Sequence, residues 1–198
     1  MHPASSGRVR FDGQDITHRR PHQIARLGLG RPFQIVQPFP KMTVLENVAA
    51  GALFSGGASS VHDAYAAARQ QLEFTGLADL TDRPAATLTL ARRKRLERAK
   101  SLAMKPRLLM LDEVNAGLNA AEIAGALELI REIANLGVTL IVIEHLMRVV
   151  LSVSHRLVVL HHGQLIAQGP PHEVVSDRRV IEAYLGPKYA AANRGPAS

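Results

Sequence analysis

Hydrophobic and polar positions follow two different rhythms along the chain. Val9 and Phe11 alternate with polar neighbours between Gly7 and Gly13, which predicts a short half-exposed strand ending in a turn. The stretch "PHQIARLGLG" predicts a short helix stopped by Gly28 and Gly30. From Met42 to Phe54, "MTVLENVAAGALF" predicts a helix, with Thr43 as N-cap and Glu46 three residues on completing a capping box. A Gly/Ser-rich flexible stretch from Ser55 to Ser60 leads to a longer helix, Val61 to Phe74, ended by Thr75-Gly76. No strand candidate interrupts the chain between Met42 and Met104, so this part is expected to form a separate helical lobe.

The second half changes rhythm. Arg107 to Leu111 is a short apolar strand, and Ala120 to Asn135 is a helix with Ile123, Leu127, Ile130 and Ala134 on one face, closed by Gly137. The apolar, β-branched run "VTLIVIE" then predicts a strand covered on both faces, which makes strand, helix and strand a βαβ unit with parallel pairing. A short helix near Leu146 to Leu151 precedes "HRLVVLHHGQLIAQG", a hairpin turning at His162-Gly163. The Ala/Gly/Pro-rich tail from Pro187 is expected to be disordered.

This layout gives the stretch "LLMLDEVNAGLN" its chemical interest. Open α/β sheets bind ligands beyond the carboxyl ends of their strands. Asp112 and Glu113 end one predicted strand, and Glu144 and His145 end the next, so two strand ends converge on one crevice. Two carboxylates with a histidine suit a magnesium nucleotide, one carboxylate facing the hard cation and the other polarising an attacking water. The blander reading is a solvated turn after a strand. Glu144 either orients His145 or is an exposed strand end, and His161-His162 reads as a solvated turn. Met104, Met110 and Met147 read as core filler.

Composition narrows the partners. The 198 residues are 46% hydrophobic, enough for one sizeable core, and no run approaches the roughly 18 to 20 apolar residues of a membrane-spanning helix. His2, Arg8 and Arg10, with no apolar core after them, do not form a secretory signal, and zero cysteines exclude disulfides and thiolate metal sites. The net charge of +7 suits a polyanion, yet the aromatic content of 4% leaves few stacking platforms for nucleic acid. Arg92, Arg93, Lys94, Arg95, Arg98 and Lys100 are therefore read as a solvated helix face, and no nucleic-acid partner is expected; a basic nucleic-acid-associated protein is the remaining alternative.

Taken together, these residues resemble the nucleotide-binding subunit of ATP-binding-cassette transporters, in order and spacing, from Gly7 to Gly186. "LLMLDE" is similar to the Walker B strand, a resemblance that implies Asp112 for magnesium and Glu113 as general base. His145 in "VIEH" matches the switch histidine. Gln34 in "GRPFQ" falls at the Q-loop glutamine, which faces magnesium, water and the membrane partner; the nearby Gln37 is assigned to the helical lobe. "AGLN", ending at Asn119, stands at the D-loop. Within the family, "ITHRRPHQIARLGLGRPFQ", "FPKMTVLENV" and "VIEAYLG" look like the branched-chain amino-acid importer group, glycine-type paralogue, although importers of urea or short amides share much of this wording.

Two departures qualify the resemblance. The signature loop, Leu-Ser-Gly-Gly-Gln in the family, opens a helix that holds the γ-phosphate of ATP bound on the opposite subunit. Here Leu88, Thr89, Leu90, Ala91 and Arg92 stand there, so Thr89 keeps a hydroxyl while Leu90 and Ala91 replace two glycines. An ordinary helix start with exposed cations is the alternative. Secondly, no G-x-x-x-x-G-K-[ST] loop occurs; the nearest spacing, Gly51 to Gly56, is followed by Gly57-Ala58 instead of Lys-Ser.

The implied fold is α/β: a partial P-loop NTPase-like sheet with a helical lobe, lacking the N-terminal strand and Walker A loop, and of marginal stability. Its expected parts are 1–41, an N-terminal core with the Q-loop; 42–104, the helical lobe with a degenerate signature; 105–186, the Walker B and switch-histidine core; and 187–198, a flexible tail. The resemblance implies ATP and magnesium as ligands. It further implies transmembrane permease subunits, a second ATP-binding subunit and, indirectly, a periplasmic binding protein as partners, on the cytoplasmic face of the inner membrane. The expected function is ATP-driven import by an N-terminally truncated subunit, inactive alone; the alternative is a non-catalytic partner lending its signature loop to a complete ATPase.

Overall fold

A two-residue turn makes the first pairing. Asp12 and Gly13 both have positive φ, 50° and 75°, the geometry of a tight hairpin turn, and they join β1 (Arg10–Phe11) to an antiparallel β2 (Gln14–Asp15). The computed structural model describes residues 4–31, 38–55, 57–113 and 115–185. The chain divides into two compact units between His145 and Leu146.

In the first unit, α1 (Pro21–Arg26) starts with proline at its first position and ends before Gly28, as expected. Gly30 does not stop this helix. Leu29–Gly30 is a short strand, β3, that pairs in parallel with β4 (Leu108–Asp112), Leu29 opposite Leu108 and Gly30 opposite Leu109. β4 in turn pairs in parallel with β5 (Thr139–Ile143), so the order is β3-β4-β5. The βαβ crossover is α5 (Ala120–Asn135). Its buried residues are Ile123, Ala126, Leu129, Ile130 and Ile133, a stripe rotated from the predicted one. Leu127 and Ala134 are only half-buried, because Leu129 and Ile133 turn inward to pack with Leu102.

β4 fits its predicted role, with Leu109 and Leu111 fully buried. β5 does not. Ile141 and Ile143 remain 42% and 48% exposed, because among the described residues β5 pairs on one side only and one face of it is uncovered.

The helical lobe holds α2 (Val44–Phe54), α3 (Val61–Phe74) and α4 (Leu90–Ala103), with short 3-10 turns at Ala78–Leu80 and Ala85–Thr87. Thr43 and Glu46 form the predicted reciprocal cap of α2, and Ser60 caps α3. Val44, Val48, Ala68, Leu72, Leu77 and Leu96 make the lobe's core. At Gly51 a Cβ would lie 2.6 Å from the Lys100 carbonyl oxygen, so glycine lets α2 approach α4.

α4 corrects the reading of its basic residues as a solvated face. Lys94 and Arg98 are buried together with Glu97; they lie on the face of α4 turned away from Leu96, Ala99 and Ala103, which join the lobe's core, and Lys94 reaches the Ala116 carbonyl. Glu97 accepts from Lys100 Nζ at 2.7 Å. Arg98 is 2% exposed, and its Nε and Nη2 find no hydrogen-bond partner among the described residues. Burial, with the charge of Arg95, pushes the Arg98 guanidinium down to about 10. A cation whose folded-state value is depressed in this way destabilises the fold fully below about pH 10, and the cost disappears only as pH rises through and beyond that value. Replacing Arg98 with Met is therefore expected to stabilise the chain at neutral pH by about 2 kcal/mol, read from the midpoint of urea unfolding; a lower midpoint would show that the guanidinium is satisfied in solution.

The second unit holds α6 (Met147–Val153), the hairpin of β6 (Leu157–His161) and β7 (Gln164–Gly169), then α7 (Pro171–Val174) and α8 (Arg178–Leu185). The hairpin turns at His162-Gly163 as predicted, both with positive φ. Leu157, Ala167, Val174 and Val180 form this unit's core. The tail from Pro187, with Gln34 and Gln37, lies outside the described residues.

Candidate functional site

Parallel register brings the two strand ends together. Asp112 pairs with Ile143, and the Glu113 amide donates to the Ile143 carbonyl at 3.0 Å, one step beyond the ladder. Glu113 has φ 45°, a left-handed conformation that non-glycine residues adopt at a cost. Beyond this step the carboxylate of Glu113 meets His145, with Nδ1 and Oε1 3.8 Å apart and both side chains open to solvent.

Glu144 takes a structural part. Its Oε1 accepts from the Asn115 amide at 3.3 Å and from Asn115 Nδ2 at 2.9 Å, tying the residue after one strand end to the other strand end. Asn115 is buried, and its own Oδ1 finds no partner among the described residues. Next to it, Lys94 Nζ of α4 donates to the Ala116 carbonyl at 2.6 Å. Burial, and secondarily the charge of Arg98, lower the Lys94 ammonium below its usual value, while Glu144 and Glu113 raise it. Lys94 thus carries positive charge from the helical lobe to the carboxylate cluster.

Of the predicted site residues, Glu113 and His145 come together, while Asp112, at the end of the same strand as Glu113, has its carboxylate on Arg31. Thr89 and Ala91 stand at the start of α4, where Thr89 is an N-cap whose hydroxyl accepts from the Arg92 amide at 3.4 Å. That helix start lies against the segment leading to Asn119: a Cβ on Gly117 would be 3.1 Å from Leu90 Cδ2. Asn119 caps α5, its Oδ1 accepting from the Glu122 amide at 3.0 Å while Glu122 accepts from the Asn119 amide at 2.9 Å.

Three participants escape sequence reasoning: Arg31, Lys94 and Asn115. Arg31 Nη2 donates to Asp112 Oδ2 at 3.0 Å. Recognising Leu29–Gly30 as a strand beside β4 would have placed Arg31 at that carboxylate; Lys94 was hidden within a run of cations, and nothing local marks Asn115 as buried.

Carboxylate oxygens are the right chemistry for magnesium, but the described residues do not complete a site for it. Asp112 Oδ2 is already held by a guanidinium. No group of three or more His, Asp or Glu among the described residues is placed to hold a metal ion.

Comparison with known proteins shows the family and the fold. The family model described as ABC transporter matches residues 1–116, and that described as branched-chain amino acid ATP-binding cassette transporter matches residues 164–186. The chain is 35% identical over 197 residues to the probable branched-chain amino acid transport ATP-binding protein LivG of Archaeoglobus fulgidus, covering 92% of this chain and 75% of that protein. It is 36% identical over 196 residues to the high-affinity branched-chain amino acid transport ATP-binding protein BraF of Pseudomonas aeruginosa, covering 92% and 77%. Among solved structures, the ADP conformation of an ATP-binding cassette of an ABC transporter superposes with a TM-score of 0.80 at 32% identity, over 93% of this chain and 79% of that one. A nucleotide-free cassette gives 0.78 at 31% identity, over 92% and 78%.

Proposed function

The chain belongs to the ATP-binding-cassette (ABC) transporter family, and from that premise we propose that it is the ATP-binding subunit energising import of branched-chain amino acids. The observation that carries this reading is the meeting of Glu113 and His145 across adjacent parallel strand ends. The substrate class is supported by the match at residues 164–186 and by the transport role in the names of the relatives.

In this proposal Glu113 Oε1 takes the proton of a water attacking the γ-phosphate, and His145 sits beside that carboxylate to orient water and phosphate. The Asn115–Glu144 bond and the Lys94 contact hold the turn behind them. These 198 residues contain no G-x-x-x-x-G-K-[ST], the loop whose amides and lysine cradle phosphates. The proposed setting is peripheral, on the cytoplasmic face of the inner membrane, against permease subunits and a second ATP-binding subunit, with the binding protein beyond them. No helix of the described residues is long and apolar enough to cross a membrane.

A second reading is favoured by the exposed helix start at Thr89 and Leu90: the chain lends this edge to ATP held by a complete partner subunit. The test is uptake of labelled leucine by a strain lacking the matching ATP-binding subunit, complemented with this sequence behind a phosphate-binding loop. Restored leucine uptake is expected. Restoration by the 198 residues alone, dependent on a complete second subunit, would favour the second reading, and restored uptake of another solute only would overturn the substrate class.

A further inference from the structure

We propose that Arg31 is an internal counter-ion for Asp112, holding the carboxylate oxygen that a divalent cation would need and keeping such a cation off this strand end until the arginine is withdrawn. The inference rests on the reading of Asp112 as the cation-facing carboxylate and adds a regulator to that site.

The fold produces the contact. β3 lies parallel to β4 with Gly30 opposite Leu109, so the residue that follows β3 is delivered to the same sheet end as Asp112. Its Nη2 donates to Asp112 Oδ2 at 3.0 Å, a charge-assisted hydrogen bond across 81 residues of sequence. Exposure of the two partners is unequal. The Asp112 side chain is 16% exposed and the Arg31 side chain 48%. The carboxylate is thus largely withdrawn from water, while the guanidinium keeps one open side and leaves without disturbing the core. A carboxylate in that setting is not left without a counter-charge, and an arriving hard cation competes with the guanidinium for the same oxygen.

The neighbouring carboxylates also have contacts within the chain. Glu113 lies 3.8 Å from His145, and Glu144 accepts from Asn115. Asp112 and Glu144 are thus held by hydrogen bonds from the chain itself, and Glu113 stays open to solvent, which fits the mismatch between a donor set chemically suited to a divalent cation and a geometry that does not complete a site for one.

The test titrates the full chain with Mn²⁺ alone and follows the free ion by electron paramagnetic resonance. Arg31→Met is expected to bind Mn²⁺ about tenfold more tightly than the unaltered chain, a factor equal to about 1.4 kcal/mol. Arg31→Lys keeps the charge and is expected to bind as weakly as the unaltered chain. Adding Asp112→Asn to Arg31→Met is expected to remove the gain. Equal binding by Arg31→Met and the unaltered chain would overturn the proposal, as would a gain that survives Asp112→Asn, which would report only a change in net charge. Arg31→Gln makes the same comparison if the methionine variant does not fold. With neither nucleotide nor transport in the assay, a missing gain leaves the transporter assignment standing, and a failed uptake experiment leaves the Mn²⁺ result standing.

Discussion

Glu113→Gln lowers ATP turnover by roughly 10²- to 10⁴-fold, the contribution of a positioned general base, while nucleotide binding persists. The measurement is steady-state phosphate release, with nucleotide affinity read separately, in a polypeptide that joins this sequence to a phosphate-binding loop. Glutamine preserves the size of the side chain and its acceptor oxygen and removes the basic oxygen that faces His145 Nδ1. The side chain is substantially open to solvent, so the exchange leaves no buried cavity, and the backbone at φ 45° faces the same strain with either residue. A large fall in turnover with intact binding therefore isolates the proton transfer. Unchanged turnover would remove Glu113 from the role of base and leave His145, or water alone, to take the proton.

Asn47→Ala is expected to destabilise the chain by about 3 kcal/mol, at about 1 kcal/mol per buried hydrogen bond lost, measured by urea unfolding. Asn47 is completely buried on α2. Its Oδ1 accepts from the Phe39 amide at 2.8 Å, and its Nδ2 donates to the carbonyls of Phe39 at 3.1 Å and Thr43 at 2.9 Å. One amide thus ties the chain at residue 39 to the start of α2, adding to the bonds that the Met42 amide gives the Phe39 carbonyl and the Asn47 amide gives the Thr43 carbonyl. Alanine would strip these partners away in a site closed to water. A loss below about 1 kcal/mol would mean that water enters and takes over the bonds.

The asparagine shows where reading the sequence ends. The α2 helix was legible from Thr43 and Glu46 because a capping box is a contact between residues three apart. Asn47, in the same stretch, reads as one polar position in a helix; its partners depend on how residues 39–43 fold back. The same contrast runs through the basic residues of α4. Their charge is written in the chain, but the burial of Lys94 and Arg98 is a tertiary result, Lys94 being covered where it reaches the Ala116 carbonyl 22 residues away. β5 was legible as a strand from its β-branched run, whereas the exposure of Ile141 and Ile143 is a property of its place in the sheet.

By itself the sequence determined α2 with its cap, the longer helices α3 and α5, the hairpin turn at His162-Gly163, the strands β4 and β5, and the placing of Asp112, Glu113 and His145 at strand ends. Each depends on contacts within a few residues or on a periodicity that the chain carries in one dimension. Only the tertiary structure decided that Arg31 neutralises Asp112, that Lys94 reaches Ala116, and that Glu144 holds Asn115. Those contacts join residues 81, 22 and 29 positions apart, and distances of that kind are set by strand register and helix packing, which no local pattern of polar and apolar residues encodes.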